Sequence, residues 1–119
     1  MPSRVEVPKG TLDLMVLKGL APGQKHGYEL ATWIRDTTDG TLDIDDGALY
    51  PALHRLEWRG FVVAEWGVSD NNRRAKYYAL TADGRRRLRQ EVTAWTRFSD
   101  AMWKIVNAEP AALPAARAR

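Results

Sequence analysis

The chain has 119 residues, 45% of them hydrophobic, which supports one ordinary domain and leaves no room for a second substantial core. It has no cysteine and only two histidines, so disulfide frameworks, thiolate metal sites and cysteine nucleophiles are excluded, and no cofactor or metal is expected. The net charge is +3, but residues 1–57 carry six Lys/Arg against nine Asp/Glu, whereas residues 58–119 carry twelve against six. This asymmetry favours a polyanionic partner for the second half, and a solvated basic face is the alternative.

The N-terminal segment "MPSRVEVPKG" is charged and contains proline. The longest apolar run near it, Leu14 to Leu17, is far too short for a signal peptide or a membrane span. We therefore expect a soluble, cytoplasmic protein with no membrane partner.

Two amphipathic helices are predicted first. In "GTLDLMVLKGLAPG" the apolar spacing predicts a helix over about residues 11–21, which ends at the breaker Ala21-Pro22-Gly23. In "HGYELATWIRDTTDG" a second helical face ends before Gly40. The inward residues are Leu12, Met15, Val16 and Leu20 in the first helix and Gly27, Leu30, Ala31 and Ile34 in the second.

The next segment, "TLDI", alternates Leu42 and Ile44 with polar residues and predicts a brief strand. A third helix follows in "DDGALYPALHRLEWRG", where Asp45 or Asp46 can cap the start and the inward face comprises Leu49, Leu53 and Leu56. A proline deep in a helix costs about 3 kcal/mol or more, whereas the first turn tolerates it. Pro51 therefore indicates that this helix begins near Gly47 or is kinked there.

A β-hairpin is predicted after Gly60. The segments "FVVAEWG" and "AKYYAL" have the β-branched and aromatic content of strands, and the basic stretch with Arg73, Arg74 and Lys76 connects them. Neighbouring residues of a strand point to opposite faces, so one of Tyr77 and Tyr78 is expected in the core.

The last predicted element is a helix of about 25 residues, roughly 38 Å long, with Thr81 as its N-cap. Its apolar or small residues alternate at spacings of four and three, as in a coiled-coil seam formed by Leu88, Val92, Trp95, Ser99, Met102 and Val106. A domain of about 80 residues cannot cover so long a seam, so dimerisation through it is the economical explanation, and packing onto the chain's own first helix is the alternative. Residues 108–119 are rich in proline and alanine and are expected to form a flexible tail.

Together these elements predict a mainly helical α+β fold, a winged helix-turn-helix over residues 1–80, followed by a dimerisation helix over 81–107. The third helix is the natural groove reader, and its outward residues by periodicity are Tyr50, Pro51, His54, Arg55 and Trp58. A helix and a basic wing can engage a major groove and the adjoining backbone together.

Four segments carry a resemblance to a known family. "GTLDLMVLKGL", "HGYELA", "GALYPALHRLEWRGFV" and "RRAKYYALTADGRRRL" together resemble the PadR family of transcriptional regulators, in particular its compact, acidobacterial-type branch with a single long C-terminal helix. The resemblance covers residues 10 to about 106, and it is specific because the order and spacing of the segments agree as well as their content. Many relatives have a Gly-Arg-Pro-Arg-Lys wing, whereas this chain has the equally basic "NNRRAK".

The resemblance implies a homodimer that binds a palindromic operator in double-stranded DNA, usually as a repressor, and releases it on a small-molecule or other signal. Trp95 matches a position that, in drug-responsive relatives, lies at the dimer interface and stacks on flat aromatic ligands. The family therefore implies a candidate effector site at Trp95 and Phe98 for a planar aromatic small molecule.

Several roles remain open at this stage. The predicted DNA-binding residues are Tyr50, Pro51, His54, Arg55, Arg73, Arg74 and Lys76. Arg55 can pair with guanine, with a phosphate, or with Glu57 or Asp46. Tyr50 can contact a phosphate or pack back on the domain, the wing cations can serve solubility alone, and DNA contact is undecided for the arginines at 85–87 and 89. No nucleophile, base and orienting acid form a motif, so an enzyme is not expected, and the alternative function is a winged-helix protein-interaction module without a specific operator.

Overall fold

The computed structural model describes residues 7–8 and 10–110, and these form four helices and three strands. The elements in chain order are α1 (Thr11–Leu20), β1 (Lys25–His26), α2 (Gly27–Thr37), α3 (Asp46–Trp58), β2 (Val62–Val68), β3 (Arg74–Leu80) and α4 (Ala82–Val106). The strands make one antiparallel sheet in the order β1-β3-β2. The predicted mainly helical winged helix-turn-helix with a long last helix is therefore confirmed.

The core lies between α1, α2, α3 and the inner face of the sheet. Each helix contributes one apolar stripe, as the periodicity predicted, and burial of each large aliphatic side chain stabilises the fold by about 1.5–3 kcal/mol. Tyr78 is the tyrosine of its pair that enters the core, with 1% of its surface exposed. The buried cluster comprises Val16, Leu17, Leu20, Leu30, Ile34, Ile44, Leu49, Leu53, Leu56, Val62 and Tyr78.

The strand predicted at residues 41–44 was wrong. Leu42 and Ile44 pack against or within the core, as their alternation suggested, but the segment has no strand partner. The amide of Leu42 instead donates a hydrogen bond to the hydroxyl of Thr38 (3.0 Å), the residue that directly follows α2. The sheet is instead completed by the two-residue β1, whose Lys25 and His26 pair with Tyr78 and Tyr77 of β3.

Helix α3 is capped by Asp45, one of the two aspartates that were predicted to cap its start. Asp45 is the N-cap, and its side chain accepts a hydrogen bond from the Ala48 amide (2.9 Å). Pro51 lies one turn later than the first-turn position that the sequence favoured, yet the helix continues unbroken to Trp58. The missing N–H of Pro51 leaves the Gly47 carbonyl without its helical partner near the start of α3.

The hairpin of β2 and β3 forms the wing. Its register pairs Trp66 with Lys76 and Val68 with Arg74. The tip closes through the Ser69 amide, which donates to the Arg73 carbonyl (2.8 Å), and Asn72 adopts a left-handed conformation at φ 60°. Asparagine tolerates that conformation, so Asn72 of "NNRRAK" closes this turn without a glycine.

Helix α4 is fixed to the wing at its first turn. The Thr81 side chain accepts from the Gly84 amide (3.0 Å) and donates to the Gly60 carbonyl (2.7 Å), which confirms it as the N-cap. Leu88 packs against the core, whereas the helix from Val92 onward is largely exposed. Residues 1–6 and 9 of the predicted domain and 111–119 of the predicted tail lie outside the described residues.

Candidate nucleic-acid interface

The outward face of α3 is the first part of the site. Tyr50, Pro51, His54, Arg55 and Trp58 are all exposed, and Trp58 has 91% of its surface accessible. The opposite face carries the buried Leu49, Leu53 and Leu56. The helical periodicity therefore separated the core face of α3 from its solvent face correctly.

Arg55 has an intramolecular partner. Its Nη2 donates to Oδ1 of Asp13 in α1 at 2.7 Å, rather than to Glu57 or Asp46. The Arg55 side chain is half exposed. An exposed ion pair of this kind contributes only about 0–1 kcal/mol, so Arg55 is oriented in the free protein but not locked.

Tyr50 bridges α3 and the start of α2. A Cβ added at Gly27 would overlap the Tyr50 hydroxyl, so the glycine makes room for this ring. Burial first, and the Asp46 carboxylate second, raise the pKa of Tyr50 above its usual value. The phenol is therefore protonated at neutral pH and keeps a donor at the edge of the α3 face.

The wing cations differ from one another. Lys76 lies within β3 rather than at the tip, and its Nζ is 3.7 Å from Oε1 of Glu57 in α3. Among the described residues, Arg73 and Arg74 have no carboxylate partner, and the Arg74 guanidinium lies 4.5 Å from the centroid of the Trp66 ring. The structure thus leaves two arginines at the wing available and uses Lys76 to connect the wing to α3.

A cleft of about 990 Å³ separates α3 from the wing and reaches the first turn of α2. It brings together five of the seven predicted DNA-binding residues, with aromatic rings between the cations, and these five are Tyr50, His54, Arg73, Arg74 and Lys76. Its lining comprises His26, Gly27, Tyr28, Glu29, Tyr50, His54, Trp66, Ser69, Asp70, Asn71, Arg73, Arg74, Ala75, Lys76 and Tyr78. Pro51 and Arg55 instead border a shallower hollow with His54, Trp58 and Arg59.

Among the lining residues that the sequence reasoning did not predict are three ring-bearing side chains, Trp66, His26 and Tyr28. Trp66 belongs to the face of β2 that starts at the buried Val62, and period-2 alternation along "VVAEW" could have placed it there. His26 caps α2 by accepting from the Glu29 amide (3.2 Å), and Tyr28 is exposed beside it. His26 and Glu29 form a capping box, in which each side chain bonds to the other residue's backbone amide. Because histidine is rarely found at the cap of such a box, no ordinary sequence signal pointed to this role.

Comparisons with known proteins agree with the fold and identify the family. A model of the PadR-like family of transcriptional regulators matches residues 16–90. The chain belongs to the PadR-like family. A transcriptional regulator from Clostridium thermocellum is 30% identical, with a TM-score of 0.76 over 83% of this chain and 96% of that one.

Two further proteins are similar to this PadR-like chain. A PadR family transcription regulator from Clostridium difficile is 25% identical, with a TM-score of 0.72 over 82% of this chain and all of that one. An uncharacterized protein from Lysinibacillus sphaericus is 31% identical over 82% of this chain and 89% of its own length. Because the family consists of transcription regulators, this PadR-like protein is a DNA-binding transcription regulator and not an enzyme.

The arginines at the start of α4 are mostly satisfied within this PadR-like chain. Arg85 donates to the Ala21 carbonyl (3.3 Å), and Arg86 pairs with Asp83. Arg87 lies 3.2 Å from Glu91 and stacks near the Phe61 ring. These contacts give the three arginines partners within the chain, and DNA contact by them or by Arg89, which the sequence left open, stays a prediction.

The far part of α4 carries seven of the large apolar residues that are exposed in the described part of the chain. Beyond Leu88, the predicted seam residues Val92, Trp95, Met102 and Val106 are between 40% and 69% exposed. Phe98, Trp103 and Ile105 widen this stripe on both sides. Packing onto α1 covers only the first turns of α4, so the predicted alternative of complete intramolecular packing does not hold.

Within residues 7–8 and 10–110, no group of three or more His, Asp or Glu side chains is placed to hold a metal ion. No helix in the same part of the chain is long and apolar enough to cross a membrane.

Proposed function

We propose that this PadR-like chain is a homodimeric repressor that binds a palindromic operator and is released from it by a small molecule or another signal. The observation that carries the DNA-binding part is the cleft, in which the exposed face of α3 lies opposite Arg73 and Arg74 of the wing. Chromosomal DNA is the proposed ligand, so a cytoplasmic location belongs to the same proposal.

The two walls of the cleft suit the two parts of a duplex. The major groove is about 12 Å wide and admits a helix, so α3 enters it and offers His54 and Arg55 to base edges. The DNA strand beside that groove then lies in the cleft, where Arg73 and Arg74 contact its phosphates. Tyr50 and Pro51, near the start of α3, contact the same backbone, and Lys76 sets the angle between wing and helix through Glu57.

The apolar stripe of α4 supports the homodimer. Monomeric soluble proteins rarely expose seven large apolar residues on one helix, and a second copy of the helix would cover them symmetrically. Dimerisation presents two α3 helices to half-sites about 34 Å apart, which is why the proposed operator is palindromic. We place Leu88, Val92, Trp95, Met102 and Val106 in this interface.

A salt titration of DNA binding tests the DNA-binding part. Fluorescence anisotropy is measured with DNA from upstream of the protein's own gene and with random duplex, from low to high salt. Changing Arg73 and Arg74 together to Ala should weaken binding to both duplexes alike and lower the salt slope by about 0.9 for each lost phosphate contact.

The matched control changes Arg97 and Lys104 to Ala, because it removes the same charge from α4 outside the cleft. This control should leave the slope almost unchanged. An equal loss of slope in both double variants would assign the wing arginines to general charge alone, and failure of the wild type to bind either duplex would overturn the proposed function.

A further inference from the structure

We infer that Trp66 is a positioning residue of the wing, which holds the guanidinium of Arg74 edge-on to the DNA strand in the cleft. The inference rests on the proposed function, because it assigns a role within the same site. Trp66 is not one of the basic residues by which the wing was predicted. Its contact with Arg74 is the observation that indicates a role.

The register of the hairpin places the ring. Trp66 pairs with Lys76, and Arg74 is the diagonal neighbour, paired with Val68 two residues further along β2. Side chains at these positions share one face of the sheet, which is the face that begins at Val62 in the core and ends at the cleft. Trp66 is 57% exposed there, so most of its ring lies beyond the core.

The Arg74 guanidinium lies over the Trp66 ring, a position that allows face-to-face stacking. The Cζ of Arg74 lies 4.5 Å from the centroid of the Trp66 ring. A guanidinium that stacks through its face still has its five N–H groups around the edge, in the plane where a phosphate binds bidentately. In the described part of the chain no carboxylate pairs with those donors, so the edge of Arg74 is available to a ligand.

The benefit of the ring is preorganisation. A free arginine loses much of its rotamer freedom when it binds one phosphate, and a side chain already held on an indole loses less. Arg73 provides the internal comparison, because among the described residues it stacks on no aromatic ring. Substitution of Trp66 should therefore weaken the phosphate contact of Arg74 and leave that of Arg73 intact.

A double-mutant cycle on the full chain tests this role, with random duplex DNA as the probe so that only backbone contacts are measured. Trp66→Leu should weaken binding about two- to five-fold, the range expected for an exposed cation–π pair, and should lower the salt slope. The same change made on Arg74→Ala should have almost no further effect, whereas on Arg73→Ala it should have its full effect. Trp66→Phe, which keeps a ring, should restore most of the affinity.

The control is Val63→Ala, because Val63 lies on the same strand, is 54% exposed and does not line the cleft. It should leave the affinity and the slope at their wild-type values, and thermal unfolding verifies that each variant is folded. Equal losses for Trp66→Leu with and without Arg74 would overturn the inference, as would no loss at all. In either case normal DNA binding by the wild type would leave the proposed function standing, and absence of that binding would overturn both.

Discussion

At the scale of single residues, the ion pair between Arg55 and Asp13 bears directly on the proposed DNA binding. Its bond to Asp13 is short, but both side chains reach solvent, so breaking it costs about 0–1 kcal/mol. A bidentate contact between arginine and guanine is worth about 1–3 kcal/mol of discrimination. If Arg55 reads a base as proposed, exchanging Asp13 for that base would cost little, and the pair would hold Arg55 on the outer face of α3 until DNA binds.

Arg55→Ala should accordingly cost about 1–3 kcal/mol of binding free energy on the best operator and much less on random DNA. Asp13→Asn is the matched control, because it removes the competing carboxylate and keeps Arg55. It should preserve or raise operator affinity, as measured by anisotropy with both duplexes. Equal losses for Arg55→Ala on both duplexes would identify Arg55 as a backbone contact instead.

At the scale of elements, helices and the hairpin were predictable because their signals are local. Apolar residues spaced three and four apart gave α1 to α4, and two β-branched segments around a basic turn gave β2 and β3. Strand β1 has only Lys25 and His26 and forms because β3 offers an unpaired edge, which no local pattern reveals. The partner of Arg55 was missed for the same reason, since Asp13 lies 42 residues away in the chain.

The junction of α4 with the wing is the element whose geometry matters most for a dimer, because it sets the direction in which the long helix leaves the DNA-binding domain. The junction depends on Gly84, since a Cβ there would overlap the carbonyl oxygen of Phe61. Phe61 O also accepts from the Thr81 amide at 3.1 Å, so this backbone has little freedom to move.

Gly84→Ala should therefore destabilise the protein by about 1–3 kcal/mol, although Ala is ordinarily the better helix former by about 1 kcal/mol. Urea unfolding followed by circular dichroism measures the change. Gly23→Ala is the control, because an added Cβ there meets nothing within 4 Å, and its free energy of unfolding should stay near the wild-type value. A Gly84→Ala variant as stable as the wild type would mean that α4 tilts without cost and that its direction is not fixed by this contact.

At the scale of the whole molecule, the stripe on α4 connects the proposed dimer to the proposed signal. Trp95 lies between Val92 and Met102 on the seam, and its ring centroid is 6.0 Å from that of Phe98. In a two-fold dimer formed along this seam, the two indoles approach each other across the axis. A planar apolar ligand could then stack between them, and its entry would change the angle between the two α4 helices.

Such a change would reach the DNA because contacts among Thr81, Gly84 and Phe61 attach each α4 to its own wing. Altering the angle alters the spacing of the two α3 helices, which must match half-sites about 34 Å apart. In this proposal the affinity for the operator would fall by as much as the ligand prefers the misaligned dimer, and no further.

Tryptophan fluorescence and sedimentation, with and without a panel of flat aromatic compounds, test this link. Trp95→Ala should stay dimeric and bind DNA normally, because the other apolar residues of the stripe remain, but it should lose the ligand-induced quenching. Trp103→Ala is the matched control, since Trp103 is exposed on the same helix beside the seam, and it should keep the quenching. Absence of quenching in the wild type with every compound would eliminate the effector site. A Trp95→Ala protein that sediments as a monomer would show instead that the ring is needed to hold the two helices together, because its loss then removes more apolar contact than the remaining stripe can replace.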